Sequence, residues 1–208
     1  MKKYNFMKLI VIAVFSLQSS LTYTSQQISN PWGTFLHKAV FDGDIDEAQR
    51  LVANGANINA RDSDGLTPLH RAVLYNAEDI FNFLIASGAQ LNIPDSGGWT
   101  PLHKAIANNN VKIAQILVQA GSSLTSKSKM GLTPLALAVC DDRVEMVQML
   151  IDAGALDAQK IHAPGFKKNI KSPAMKAIFE QVELEKQQSE QPRMDASDYQ
   201  INKDVVEN

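Results

Sequence analysis

Four stacked helix–turn–helix units, forming an all-α solenoid with a cap at each end, are the architecture encoded by this chain, and three regularities carry that reading. The stretch GLTPLHRAV at Gly65–Val73 returns 33 residues later as GWTPLHKAI at Gly98–Ile106 and again as GLTPLALAV at Gly131–Val139. One period upstream, Thr34, Leu36, His37 and Ala39 stand in the same register. The second half of each unit repeats in phase, as LVANGANIN from Leu51, LIASGAQLN from Leu84, LVQAGSSLT from Leu117 and LIDAGALDA from Leu150, each with a glycine at the same offset. Self-similarity at a fixed period of this length marks a chain whose units bury their apolar faces only against their neighbours.

The N-terminus reads as a secretory signal over residues 1–24. Lys2, Lys3 and Lys8 make a basic start, Leu9 to Leu17 an apolar run, and Gln18 to Ser25 a polar stretch. The run is shorter than the roughly 20 apolar residues that a membrane span needs. Ser20 with Thr22, or Thr22 with Thr24, offers small residues for cleavage, although no A-x-A is present. The alternatives are an uncleaved weak anchor or an apolar tail without a role. Residues 25–32 form a lead-in in which Asn30-Pro31 turns and Trp32 covers the end of the stack.

Each repeat is expected to hold an inner and an outer helix. The bounds are 33–65, 66–98, 99–131 and 132–160 for repeats one to four. In the second, Thr67 caps the inner helix, Pro68 sits in the first turn where its missing N–H costs nothing, and Leu69 with Ala72 faces the stack. Alanine suits a position where neighbouring helices approach to about 8–10 Å. The outer helices carry a stripe at i, i+3, i+4 and i+5: Ile80, Phe83, Leu84 and Ile85, with Ile113, Ile116, Leu117 and Val118, and Met146, Met149, Leu150 and Ile151, as its later copies. Gly55, Gly88, Gly121 and Gly154 stop them. The register breaks after the fourth unit. A lysine-rich loop follows, and SPAMKA at Ser172–Ala177 is a degraded copy of the TPLH start that opens an amphipathic helix through Ile178, Phe179 and Val182. Residues 161–186 are thus read as a basic loop and capping helix, and the polar stretch 187–208 as a disordered tail.

A period of 33 with T-P-L-H near its start resembles the ankyrin-repeat family. The resemblance covers roughly 33–158, with Phe35 standing where the family has proline. It implies projecting β-hairpin fingers at 57–66, 90–99 and 122–132, with turns at Asp64-Gly65, Gly97-Gly98 and Met130-Gly131. It also implies that His70 and His103 use their ring nitrogens to bond the turn and tie one repeat to the next. Members of the family bind proteins rather than catalyse reactions, usually through the concave face of fingers and inner-helix ends. On this sequence that face maps to Phe41, Arg61, Asp64, Leu66, Leu74, Tyr75, Trp99, Asn108, Met130 and Leu132. An exposed apolar and aromatic row of this kind anchors interfaces, with Tyr75 and Trp99 expected to form one patch.

Composition narrows the function classes. A net charge of −2 on 208 residues, with the N-terminal 24 holding three lysines and no acid, argues against indiscriminate nucleic-acid binding. The single cysteine, Cys140, expected just past an inner helix, allows neither an intramolecular disulfide nor a cysteine metal cluster. His37, His70 and His103 are the candidate metal or catalytic group, with His162 apart. Equivalent positions about 8–10 Å apart cannot share a zinc whose ligands lie about 2 Å from it. Carboxylate pairs such as Asp62 with Asp64 fall at turns that read as solvent-facing, and no nucleophile motif or phosphate loop is present. The expectation is a monomeric, non-enzymatic protein-binding module without cofactor. It is secreted or periplasmic, of bacterial type, and has no stable membrane span once the signal is removed. Two alternatives stand beside it: an envelope scaffold that protects or inhibits an enzyme, and a cytoplasmic adaptor should the N-terminus not be a signal. Charge is graded along the repeats, with three basic and six acidic groups in 34–66 against eight and five in 127–176. Lys160, Lys167, Lys168 and Lys171 of the basic loop would suit an acidic partner or lipid headgroups.

Overall fold

The computed structural model describes residues 34–155, 170 and 172–190. The expected signal and lead-in, His162, the four lysines of the basic loop and the chain beyond 190 lie outside them. Among the described residues there are nine helices and no strand. Helices α1 (Phe35–Asp42), α3 (Pro68–Tyr75), α5 (Pro101–Ala107) and α7 (Pro134–Cys140) form the inner layer. Helices α2 (Ile45–Ala53), α4 (Glu78–Ala86), α6 (Val111–Gln119) and α8 (Val144–Asp152) form the outer layer, and α9 (Pro173–Glu190) closes the end. Each inner helix packs on its own outer helix, and the inner helices of successive repeats pack on one another from α1 to α7.

Local chemistry sets these boundaries. Thr34, Thr67 and Thr133 are extended, and their hydroxyls accept from the N–H groups of His37, His70 and Ala136, which the first helical turn leaves without partners. Pro68, Pro101 and Pro134 open their helices at the one place where no N–H is missed. Inner helices end on Gly43, Asn76, Asn109 and Asp142, all with positive φ. The outer helices stop at Gly55, Gly88, Gly121 and Gly154, where φ of 82–91° leaves glycine the unstrained choice.

The core lies between the layers and runs unbroken from repeat to repeat. Leu36, Leu69 and Leu102 are fully buried at one register, and Ala39, Ala72, Ala105 and Ala138 let the inner helices close on each other. The outer stripe differs from expectation. Ile80, Phe81 and Leu84 are buried, as are Ile113, Ala114 and Leu117, and Met146, Val147 and Leu150, whereas Phe83, Ile85, Ile116, Val118, Met149 and Ile151 are half-buried. The buried face is therefore i, i+1 and i+4, turned toward the inner layer, and the flanking apolar residues line its edge. Cys140 is the last residue of α7 rather than the residue beyond it.

The degraded TPLH copy opens a helix at the C-terminal end of the described stack. Ser172 Oγ accepts from Met175 N–H at 3.2 Å, and Met175 and Phe179 are buried. Helix α9 packs against α8 and runs to Glu190 rather than ending at 186.

Candidate functional site

The fingers are built from tight turns. In the first, Asp62 N–H donates to Leu66 C=O and Gly65 N–H to Asp62 C=O, both at 2.9 Å. Both closures repeat at Asp95 with Trp99 and Gly98, and at Ser128 with Leu132 and Gly131, too little for a ladder, so the hairpin of the family is reduced here to its tip. The fingers bond to one another through their backbones: Ser96 N–H donates to Asp64 C=O at 3.1 Å and Lys129 N–H to Gly97 C=O at 2.9 Å. Gly98 makes the second contact possible. A Cβ there would sit 2.6 Å from the Lys129 nitrogen.

The repeat histidines lock fingers to helices. His70 Nδ1 accepts from Thr67 N–H at 3.2 Å and lies 2.9 Å from Thr67 Oγ1, and its Nε2–H donates to Trp99 C=O at 2.9 Å. His103 is held likewise by Thr100 and Leu132 C=O, and His37 by Thr34 Oγ1 and Leu66 C=O. The family expectation of a turn bond plus a tie to the next repeat is met at His70 and His103, and His37 makes a matching pair of contacts. Both nitrogens of each ring are engaged, which leaves none for a metal. Burial pushes His70 down to about 4, opposed by the bond to Trp99 C=O and by Asp95, with Lys104 and Arg61 adding repulsion. His37 and His103 are lowered by the same burial, opposed by their carbonyl bonds.

A second lock has no counterpart in the sequence reading. Asp62, expected at a solvent-facing turn, is buried; its Oδ1 accepts from Asp64 and Leu66 N–H, and its Oδ2 from Arg71 Nε at 2.8 Å. Arg71 also donates to Asp64 Oδ2 at 3.1 Å and to Tyr75 Oη at 3.3 Å. Asp95 does the same for Gly97 and Trp99 N–H and pairs with Lys104 Nζ at 2.7 Å. Burial opposes the Asp95 charge, but Lys104 and the Trp99 and Gly97 N–H groups together hold its carboxyl below the usual range. The readable signal was a shared nine-residue spacing, Asp62 to Arg71 and Asp95 to Lys104.

The expected row of contact residues divides. Phe41, 47% exposed, and Tyr75, 39% exposed, meet edge to face with ring centroids 5.4 Å apart and planes at 77°. Arg61, Asp64, Asn108 and Met130 are exposed, and Leu74, Trp99 and Leu132 are half-buried. Leu66 is a correction: it is only 5% exposed, because His37 holds its C=O and Asp62 its N–H, which turns the residue inward. Tyr75 takes Phe41 as its ring partner, while Trp99 stands against His103 at 6.0 Å with Lys104 Nζ 5.2 Å from its ring centroid. The single Tyr75–Trp99 patch is thus replaced by two aromatic groups, one a protruding ridge and the other part of the finger's own support.

Among the described residues no helix is long and apolar enough to cross a membrane, and no three histidine, cysteine or acidic side chains gather at a metal-binding spacing. Two family models match the chain: ankyrin repeats in many copies over residues 36–85, and ankyrin repeats in three copies over residues 92–162. Together they cover more than half of the sequence. No curated protein matches it. Ankyrin repeats generally mediate protein–protein interaction, and on the period, the stacked helices and these matches the chain belongs to the ankyrin-repeat family.

Proposed function

We propose that this ankyrin solenoid is a secreted, non-enzymatic module that recognises a partner protein through its concave face. The observation that carries the reading is the Phe41–Tyr75 ridge. Two large apolar rings stand exposed across a repeat boundary, and Arg71, itself fixed by Asp62 and Asp64, holds the Tyr75 hydroxyl from below. Rigid aromatic surface of this kind loses little freedom on docking and anchors interfaces strongly. The basic start and apolar run of residues 1–24 support export, and the stack needs no disulfide to persist outside the cell.

The test is capture of a partner with the mature chain, followed by affinity and melting measurements on Phe41→Ala with Tyr75→Ala. Binding should fall at least tenfold, the equivalent of about 1.4 kcal/mol, with the melting temperature within a few degrees of the parent. Unchanged affinity in a folded double variant would remove the ridge from the binding surface. Fractionation, together with N-terminal sequencing of the mature chain, separates an extracellular role from an envelope scaffold and from a cytoplasmic adaptor.

A further inference from the structure

The third finger departs from the first two in its charge. Where they carry the buried Asp62 and Asp95, it carries Ser128, and the helix position that pairs with them as Arg71 and Lys104 is Leu137. Ser128 Oγ still accepts from Leu132 N–H at 3.3 Å, so the turn is kept while its carboxylate is gone. Lys127 and Lys129 on either side are exposed, and neither ammonium meets an acid among the described residues. Met130 beside them is 76% exposed, more than Phe41, Tyr75 or Leu184.

This tip is firmly held. Lys129 N–H donates to Gly97 C=O of the second finger, and Ser128 N–H to Leu132 C=O, both at 2.9 Å; Gly131 N–H closes the turn on Ser128 C=O at the same distance. The backbone bearing Lys127, Lys129 and Met130 is therefore already ordered, and a partner binding there need not order it.

We propose that Lys127, Lys129 and Met130 form the docking point for an acidic protein segment that places an apolar side chain between its carboxylates. This rests on the protein-binding reading above and adds the chemistry of the partner. Charge complementarity selects the occupant: the tip is the one finger among the three with cations and no acid. A lipid surface fits less well, since recognition of anionic headgroups uses clusters of about 4–8 basic residues, and the described tip has two.

The experiment selects binders to the full chain from a displayed random-peptide library. Affinities for the selected peptides are then compared among the parent, Lys127→Glu with Lys129→Glu, Met130→Ser, and Tyr75→Ala. All these positions are at the surface, and a thermal melt checks each fold. The expected peptides carry Asp or Glu flanking Leu, Met or Phe, bind less tightly as salt rises, and weaken about tenfold or more on charge reversal. Met130→Ser should weaken them severalfold, and Tyr75→Ala less. Peptides without acidic residues, or with undiminished affinity for the charge-reversed chain, overturn the proposal. Selected peptides that are lost only with Tyr75→Ala overturn it while leaving the ridge reading standing, and binding that depends on none of these residues overturns both. Vesicles rich in phosphatidylserine are the last arm: capture by them through Lys127 and Lys129, with no acidic peptide selected, also overturns it.

Discussion

His70 Nε2 lies 2.9 Å from the carbonyl oxygen of Trp99 in the next repeat, while Nδ1 of the same ring accepts the N–H of Thr67. The ring is thereby fixed as the neutral tautomer with its proton on Nε2, since a proton on Nδ1 would face another N–H. Acid should break this arrangement. The folded pKa, about 4, lies below the 6.5 of an unperturbed histidine, so the unfolded chain binds the proton first and stability falls as pH drops between those values. His37 and His103 are lowered too and add in the same direction. His70 alone should contribute a loss on the order of 3 kcal/mol across the window. Denaturant midpoints from pH 7.5 to 4 measure it, and a His70→Gln chain should show a shallower slope. A flat profile in the parent would contradict the assigned tautomer.

Gly98→Ala should separate the second finger from the third. The substitution puts a methyl group 2.6 Å from the Lys129 nitrogen and also strains a φ of +80°. Gly121→Ala is the control, with a similar φ of +91° but nothing within 4 Å. Left-handed strain alone costs about 1–2 kcal/mol, so Gly121→Ala should lose about that much and Gly98→Ala clearly more. Hydrogen exchange at the Lys129 amide reports the lost bond directly. Equal costs for the two variants would mean that the fingers are not in contact.

Leu117→Ala empties a fully buried position in α6 and should cost about 2–5 kcal/mol. Repeats depend on nearest-neighbour coupling, so the loosening should reach the second and fourth repeats as well as the third. Urea unfolding gives the total, and exchange rates give the spread. A midpoint within error of the parent would refute the assigned core.

Dialysed protein should retain no stoichiometric zinc, and a chelator should leave its melting curve unchanged. The reason is local: each repeat histidine already spends both nitrogens on Thr and carbonyl partners. One tightly held zinc per chain would require at least one of those bonds to open.

The inner layer was legible because its residues announce their roles: Thr67 caps, Pro68 starts, Ala72 permits close approach, and the 33-residue period repeats the message. The outer layer was harder. Phe81, Ala114 and Val147 are buried while Phe83, Ile116 and Met149 stand at the edge. An apolar stripe that broad fits two helix rotations, and only the position of the inner layer decides between them. At the candidate site, exposure at Phe41, Tyr75 and Met130 followed from their places at helix and finger ends. Leu66 did not, because its direction is set by two backbone bonds to side chains, one of them on His37 in the preceding repeat. Asp62 looked like a turn residue for the same reason, its Arg71 partner being on the following helix. The joint change to Ser128 and Leu137 is the trace of that pairing in the sequence.

The histidine ties all point one way. His37 reaches Leu66, His70 reaches Trp99 and His103 reaches Leu132, each acceptor 29 residues further along the chain. The fourth repeat has Ala136 at that position. A stack lacking the following finger would therefore leave the Nε2–H of the preceding histidine without its carbonyl acceptor. The ties thus give the stack a direction, each repeat being completed by the one after it. Ala136 carries no ring donor, so the fourth repeat makes no tie of this kind to the chain that follows.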